Sequence, residues 1–121
     1  MTDQPLLDPG PLRSLAAFGP GIPLEMIGLF EEEMPARLAG LEMALASGDL
    51  EAARIHAHSA KGGGGNLGLK RFAEVAGAAE RAARDGEVVA VSAHAVELKA
   101  LYSPSLQALK EAFPGEEPPE P

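Results

Sequence analysis

Residues 55–68 read IHAHSAKGGGGNLG, and whether they form a loop or a helix decides the fold. Four consecutive glycines suggest a loop that cradles phosphate, and two histidines suggest a metal. A phosphate loop of the GxxxxGK type follows a strand and places its lysine after the last glycine. Here Lys61 precedes the glycines, and Leu50, Ala53 and Ala57 lead into them at helical spacing. The dinucleotide pattern fails for the same lack of a strand-helix-strand unit. On a helix, residues two apart point about 200° away from each other, so His56 and His58 cannot close on one ion from a single face. The stretch is therefore predicted to be the C-terminal half of a helix that starts behind Asp49 as its N-cap. Each glycine costs up to about 1 kcal/mol of helix propensity relative to Ala, so this helix is expected to fray or kink around Gly64 to Asn66.

Outward from this helix, breakers at Pro9 to Pro11, Gly19 to Pro23, Gly48, the glycines 62 to 65, Gly86 and Pro114 divide the chain into five helical segments. The first, Pro11 to Phe18, is short and is expected to lie as a lid on a bundle end. The second runs from Pro23 to Ser47. Its Leu24, Ile27, Phe30, Met34, Leu38, Leu41 and Leu45 advance by three or four residues, drawing one apolar stripe. Pro35 inside it predicts a kink rather than a stop. Leu69, Phe72, Val75, Ala76 and Ala79 give the fourth helix its apolar face. Val91, Ala95, Leu98, Tyr102, Leu109 and Phe113 give the fifth its own, despite Pro104. Four amphipathic helices joined by short connections bury their stripes most economically as an antiparallel four-helix bundle with a short N-terminal accessory helix. The predicted fold class is all-α, with the bundle over residues 5–113 and a disordered acidic Pro/Glu tail over 114–121.

Composition narrows the chemistry. The 121 residues contain no cysteine, which excludes disulfides, thiolate metal sites and a cysteine nucleophile. A formal net charge of -8 argues against nucleic acid as the main partner. The apolar runs are short and interrupted, and the N-terminus lacks a basic region followed by an apolar stretch, so neither a membrane span nor a signal peptide is expected. A soluble, cytoplasmic monomer is the expectation.

On the third helix, His58, Lys61 and Gly62 stand at i, i+3 and i+4, with Arg54 at i-4 on the same face. The missing side chain at Gly62 leaves room for a large partner to approach the imidazole. Lys61 can neutralise an anion placed on that ring. His56 and His94 read as plain surface residues. Arg54, Lys70 and Arg71 are candidates for a face that docks an acidic partner.

The run AHSAKGGGGNLGL, together with EVAGAAERAARDG downstream, resembles the histidine-containing phosphotransfer (HPt) domain, particularly the phosphoacceptor domain of chemotaxis histidine kinases. The shared pattern is HxxKG with a further glycine, here His58, Lys61, Gly62 and Gly68. The resemblance implies a four-helix bundle with an accessory helix. It implies that His58 is the phosphoacceptor, Lys61 the phosphate-neutralising cation, and Gly62 and Gly68 the residues that give steric access. It further implies that Glu80, twenty-two residues after His58, orients the ring by accepting from Nδ1–H. The alternative for Glu80 is an exposed i, i+4 ion pair with Arg84. Ala60 departs from the family, which usually has a larger aliphatic residue there.

The expected function is histidine phosphotransfer in a two-component phosphorelay. His58 exchanges a phosphoryl group with receiver-domain aspartates, without autonomous kinase activity and without a cofactor or metal site. Mg2+ is expected to come with the partner receiver. The partners implied are a response-regulator receiver domain and a histidine kinase or hybrid kinase. Two alternatives stand beside this: the phosphoacceptor domain of a kinase, and a module that docks and sequesters a receiver without carrying phosphate.

Overall fold

The structure, a computed structural model, describes residues 5–115; the tail expected over 114–121 lies outside them from residue 116 onward. Five helices follow one another, α1 (Gly10–Ala16), α2 (Ile22–Ala46), α3 (Leu50–Asn66), α4 (Lys70–Arg84) and α5 (Val88–Ala112), with no strand among the described residues. Packing runs α2 on α3, α3 on α4 and α4 on α5, and α5 closes the ring on α2, with α1 laid against α2. Lys99 pairs with Glu42 and Lys110 with Glu31 across the α5–α2 seam, which fixes these two helices as antiparallel.

The three connections inside the bundle repeat one device. Gly48, Gly68 and Gly86 each take a positive φ, 73°, 82° and 75°, directly after a helix. The next residue's N–H then reaches back to a carbonyl of the last turn: Asp49 to Ala44, Leu69 to Gly64, Glu87 to Ala82. This closure satisfies orphan carbonyls and reverses the chain within three residues, so successive helices must be antiparallel neighbours. Asp49 adds a side-chain cap, accepting from Ala52 N–H at 3.0 Å.

The core follows the apolar stripes. Ile27, Phe30, Met34, Leu38 and Leu41 of α2 are buried, whereas Leu24 is 36% exposed and Ala44 takes the inward place near Leu45. All five apolar positions expected on the fourth helix are buried, as are Val91, Ala95, Leu98 and Leu109 of α5. Phe30 joins the layers, edge-on to Phe72 at 5.5 Å and stacked on Tyr102 at 5.6 Å. The lid is shorter than expected. α1 ends at Ala16, and Phe18 beyond it is 83% exposed, while Leu12 is fully buried beneath it.

The glycine run departs from expectation most clearly. α3 continues as one helix through Gly62, Gly63, Gly64 and Gly65 to Asn66, without the fraying expected around Gly64 to Asn66. Packing offsets the weak propensity. A Cβ at Gly64 would meet Phe72 Cδ1 at 2.6 Å, and one at Gly63 would meet Met34 Cε at 2.9 Å. The glycines let α3 sit closely on α4 and α2, and the neighbours hold the helix in turn. The buried side of α3 is correspondingly small: Ala53, Ala57, Ala60 and Gly64.

α2 also runs unbroken through Pro35. A proline has no N–H, so the carbonyl four residues back, that of Glu31, loses its helical donor. The Tyr102 hydroxyl donates to that carbonyl at 3.0 Å from α5. Burial, aided by the Glu31 carboxylate, pushes the Tyr102 hydroxyl above its usual ionisation range. Tyr102→Phe is expected to lower stability by about 1 kcal/mol, because the carbonyl is left with no protein donor. A lower urea midpoint at unchanged slope checks this.

Candidate functional site

The site forms on the seam between α3 and α4, where two small-residue faces pack closely. Their antiparallel register sets Gly65 beside Ala73, Lys61 beside Gly77, and His58 beside Glu80. His58 lies mid-helix with its side chain 66% exposed, and Glu80 is 15% exposed. His58 Nδ1 stands 3.0 Å from Glu80 Oε2. The other carboxylate oxygen, Oε1, is 3.5 Å from Lys61 Nζ. Glu80 therefore faces His58 and Lys61, while Arg84 sits against Asp85 at 3.8 Å instead.

The geometry assigns the proton. A carboxylate is acceptor only, so His58 Nδ1 must be the donor, and the neutral ring then carries its free lone pair on Nε2. Burial by itself would raise the Glu80 carboxyl. The hydrogen bond from His58 and the charges of His58 and Lys61 outweigh burial and hold it below its ordinary 4.5. With the folded value depressed, Glu80's contribution to stability is complete above the ordinary carboxyl range and is lost as pH falls through the lower folded value. Glu80→Gln is therefore expected to flatten the acid limb of the stability profile over the interval from the ordinary carboxyl range downward. Urea melts of both chains across that interval check it.

The remaining residues singled out from the sequence divide. Gly62 is exposed, and a Cβ there would meet nothing within 4 Å, so the turn beside the imidazole is open. Gly68 belongs elsewhere. It stands ten residues along α3's axis from His58, about 15 Å away, and its carbonyl accepts from Asp8 N–H at 2.9 Å. Its part is to close α3 and seat the N-terminal segment, not to open access to the imidazole. Arg54 lies one turn before His58 but is held by Glu51, Nη2 to Oε1 at 2.5 Å. Lys70 sits 3.9 Å from Asp8, and Arg71 pairs with Glu97. Both begin α4, about 14 Å from the level of Glu80, so the structure does not join them with Arg54 into one patch.

His56 is not the plain surface residue expected. Its ring packs on α2, where a Cβ at Gly40 would come within 2.6 Å of it, and its Nδ1 is buried without a hydrogen-bond partner. The glycine opposite it on α2 was the available signal, but pairing the two requires the helix register. His94 on α5 is half-buried. Among the described residues, no cluster of three His, Asp or Glu side chains is arranged to hold a metal ion. No helix among them is long and apolar enough to cross a membrane.

Fold and site together define an all-helical module that presents one imidazole nitrogen to solvent with a cation beside it. The family model for the Hpt domain matches residues 25–112, most of the chain, and the chain belongs to that family. Hpt domains act in histidine phosphotransfer within phosphorelays, where they interact with kinases and receiver domains, and they are phosphocarrier modules rather than enzymes in themselves. Searches of curated proteins and of solved structures found no match.

Proposed function

We propose that His58 Nε2 is the phosphoacceptor of a cytoplasmic, monomeric carrier that takes a phosphoryl group from one receiver-domain aspartate and passes it to another. The observation that carries this is the His58 Nδ1 to Glu80 contact at 3.0 Å on a ring whose side chain is 66% exposed. In the forward step the Nε2 lone pair forms the P–N bond as the P–O bond of the aspartyl phosphate breaks, and the departing carboxylate keeps the electron pair. The proton stays on Nδ1, so the phosphorylated ring is cationic and Glu80 stabilises it. A phosphoryl group on a cationic ring leaves readily, which suits onward transfer. Lys61 offsets phosphoryl charge, and positioning supplies most of the remaining catalysis. Magnesium comes with the receiver's acidic pocket.

Mixing the chain with phosphorylated receiver domains, and separately with a kinase catalytic domain and MgATP, tests this by intact mass. An acid-labile adduct of one phosphoryl group from receivers supports the shuttle. An adduct from the kinase domain alone recasts the chain as a kinase acceptor domain, and none from either leaves the docking module. Gly62→Leu refines the test of access. It is expected to stabilise the helix, since Leu exceeds Gly in propensity by close to 1 kcal/mol, yet to slow transfer from a receiver about tenfold or more by obstructing docking. Comparing receiver-dependent rates with charging by a small phosphoryl donor separates obstruction from damage to His58.

A further inference from the structure

Of the lysines and arginines in the chain, Arg13, Arg37 and Arg81 alone make no ion pair with a carboxylate among the described residues. Arg81 is the one that lies on the α3–α4 seam. It follows Glu80 in α4, and its guanidinium folds back one turn over Gly77. Arg81 Nη1 and Lys61 Cδ both lie 3.4 Å from the point where a Gly77 Cβ would be. The bare backbone at Gly77 thus makes a notch in which an unpartnered guanidinium lies next to the stem of Lys61. Lys61 itself is shared with Glu80. When a dianionic group arrives on Nε2, one ammonium has to serve both anions.

We propose that Arg81 is a second phosphoryl-binding cation of this site, its guanidinium taking phosphoryl oxygens on His58 Nε2 while Lys61 stays bridged to Glu80. The inference rests on the phosphocarrier reading of His58. A guanidinium offers a rigid fork of donors matched to phosphate geometry, whereas an ammonium acts as a point charge. With no carboxylate to release among the described residues, Arg81 engages without breaking an ion pair there, unlike Arg54, which is held by Glu51. Arg81 therefore stabilises the phosphorylated state and shifts the transfer equilibrium toward this chain.

Phosphoramidate charges the protein without any partner: its P–N bond breaks, ammonia leaves, and the phosphoryl group forms the new P–N bond to Nε2. The test charges wild type, Arg81→Gln, Arg81→Lys and, as a remote control, Lys99→Gln, then follows the phosphoryl 31P resonance against pH. The charged groups grouped around His58 on the two helices are Arg54 and Lys61 of α3 and Glu80 and Arg81 of α4. Loss of the guanidinium is expected to move the phosphoryl titration upward by about half a pH unit. It is also expected to shift the equilibrium with a receiver aspartyl phosphate about fivefold toward the receiver. Arg81→Lys falls between, and Lys99→Gln matches wild type. A phosphorylated Arg81→Gln chain that titrates and equilibrates like wild type overturns the proposal while the phosphocarrier reading stands. A wild-type chain that gains no phosphohistidine overturns both.

Discussion

His58→Gln is expected to take no detectable phosphoryl group from any donor, a loss of at least about 10³-fold, while its melting temperature stays within a degree or two of wild type. The two halves of that result come from one geometry. The His58 side chain is mostly exposed and is not part of the buried core, so shortening it opens no cavity. The flexible Gln side chain can still turn an amide N–H toward Glu80, so the seam loses little. What vanishes is the nucleophilic Nε2, and an amide nitrogen has no free lone pair to replace it. Receiver binding is expected to survive the change nearly intact, since on the proposed reading a receiver docks on the helix seam rather than on the ring alone. Intact mass, thermal melts and receiver titration on one preparation check the three together. If the variant still accumulates an acid-labile phosphoryl adduct, His58 is not the acceptor.

Gly68→Ala is expected to destabilise the fold by about 3 kcal/mol or more, the largest stability effect among the glycines. Two costs add at this position. Its φ of +82° is one that residues with a Cβ rarely adopt, costing roughly 1–2 kcal/mol. The new Cβ would also overlap the Asp8 carbonyl oxygen, which is backbone and cannot turn aside like a side-chain tip. Relief requires moving the segment that leads into Leu12, and that movement breaks the Asp8 N–H to Gly68 carbonyl bond. Urea unfolding measures the loss. Gly86→Ala, at a φ of +75° with nothing within 4 Å of its Cβ, supplies the conformational term alone. The difference between the two variants isolates the overlap.

Helix number, order and most inward faces were legible because a 3.6-residue repeat of Leu, Ile, Phe and Val survives any packing arrangement. His58, Lys61 and Arg54 could be placed on one face for the same reason. What could not be read depends on which helix lies opposite. The glycine run reads as a weak helix until Phe72 and Met34 are known to fill the space it leaves. Pro35 announces an unpartnered Glu31 carbonyl, but not that Tyr102, far along the chain, supplies the donor. Lys70 and Arg71 read as free cations because Asp8 and Glu97 are distant in sequence. Gly68, grouped with the histidine by its motif, serves the chain's N-terminal segment instead. Glu80 stood open between His58 and Arg84, and only the α3–α4 register brings it to the imidazole.

His58 and Glu80 both project from the middle of packed helices rather than from loops. No backbone at this seam has to become ordered when another molecule arrives, so association carries little conformational entropy cost on this side. Encounter then resembles the meeting of two finished surfaces, with on-rates expected in the range of about 10⁵ to 10⁷ M⁻¹s⁻¹ and raised by charge attraction. Such contacts are small and short-lived by nature. A carrier that must find one partner, let go and find the next is served better by that brevity than by tight grip.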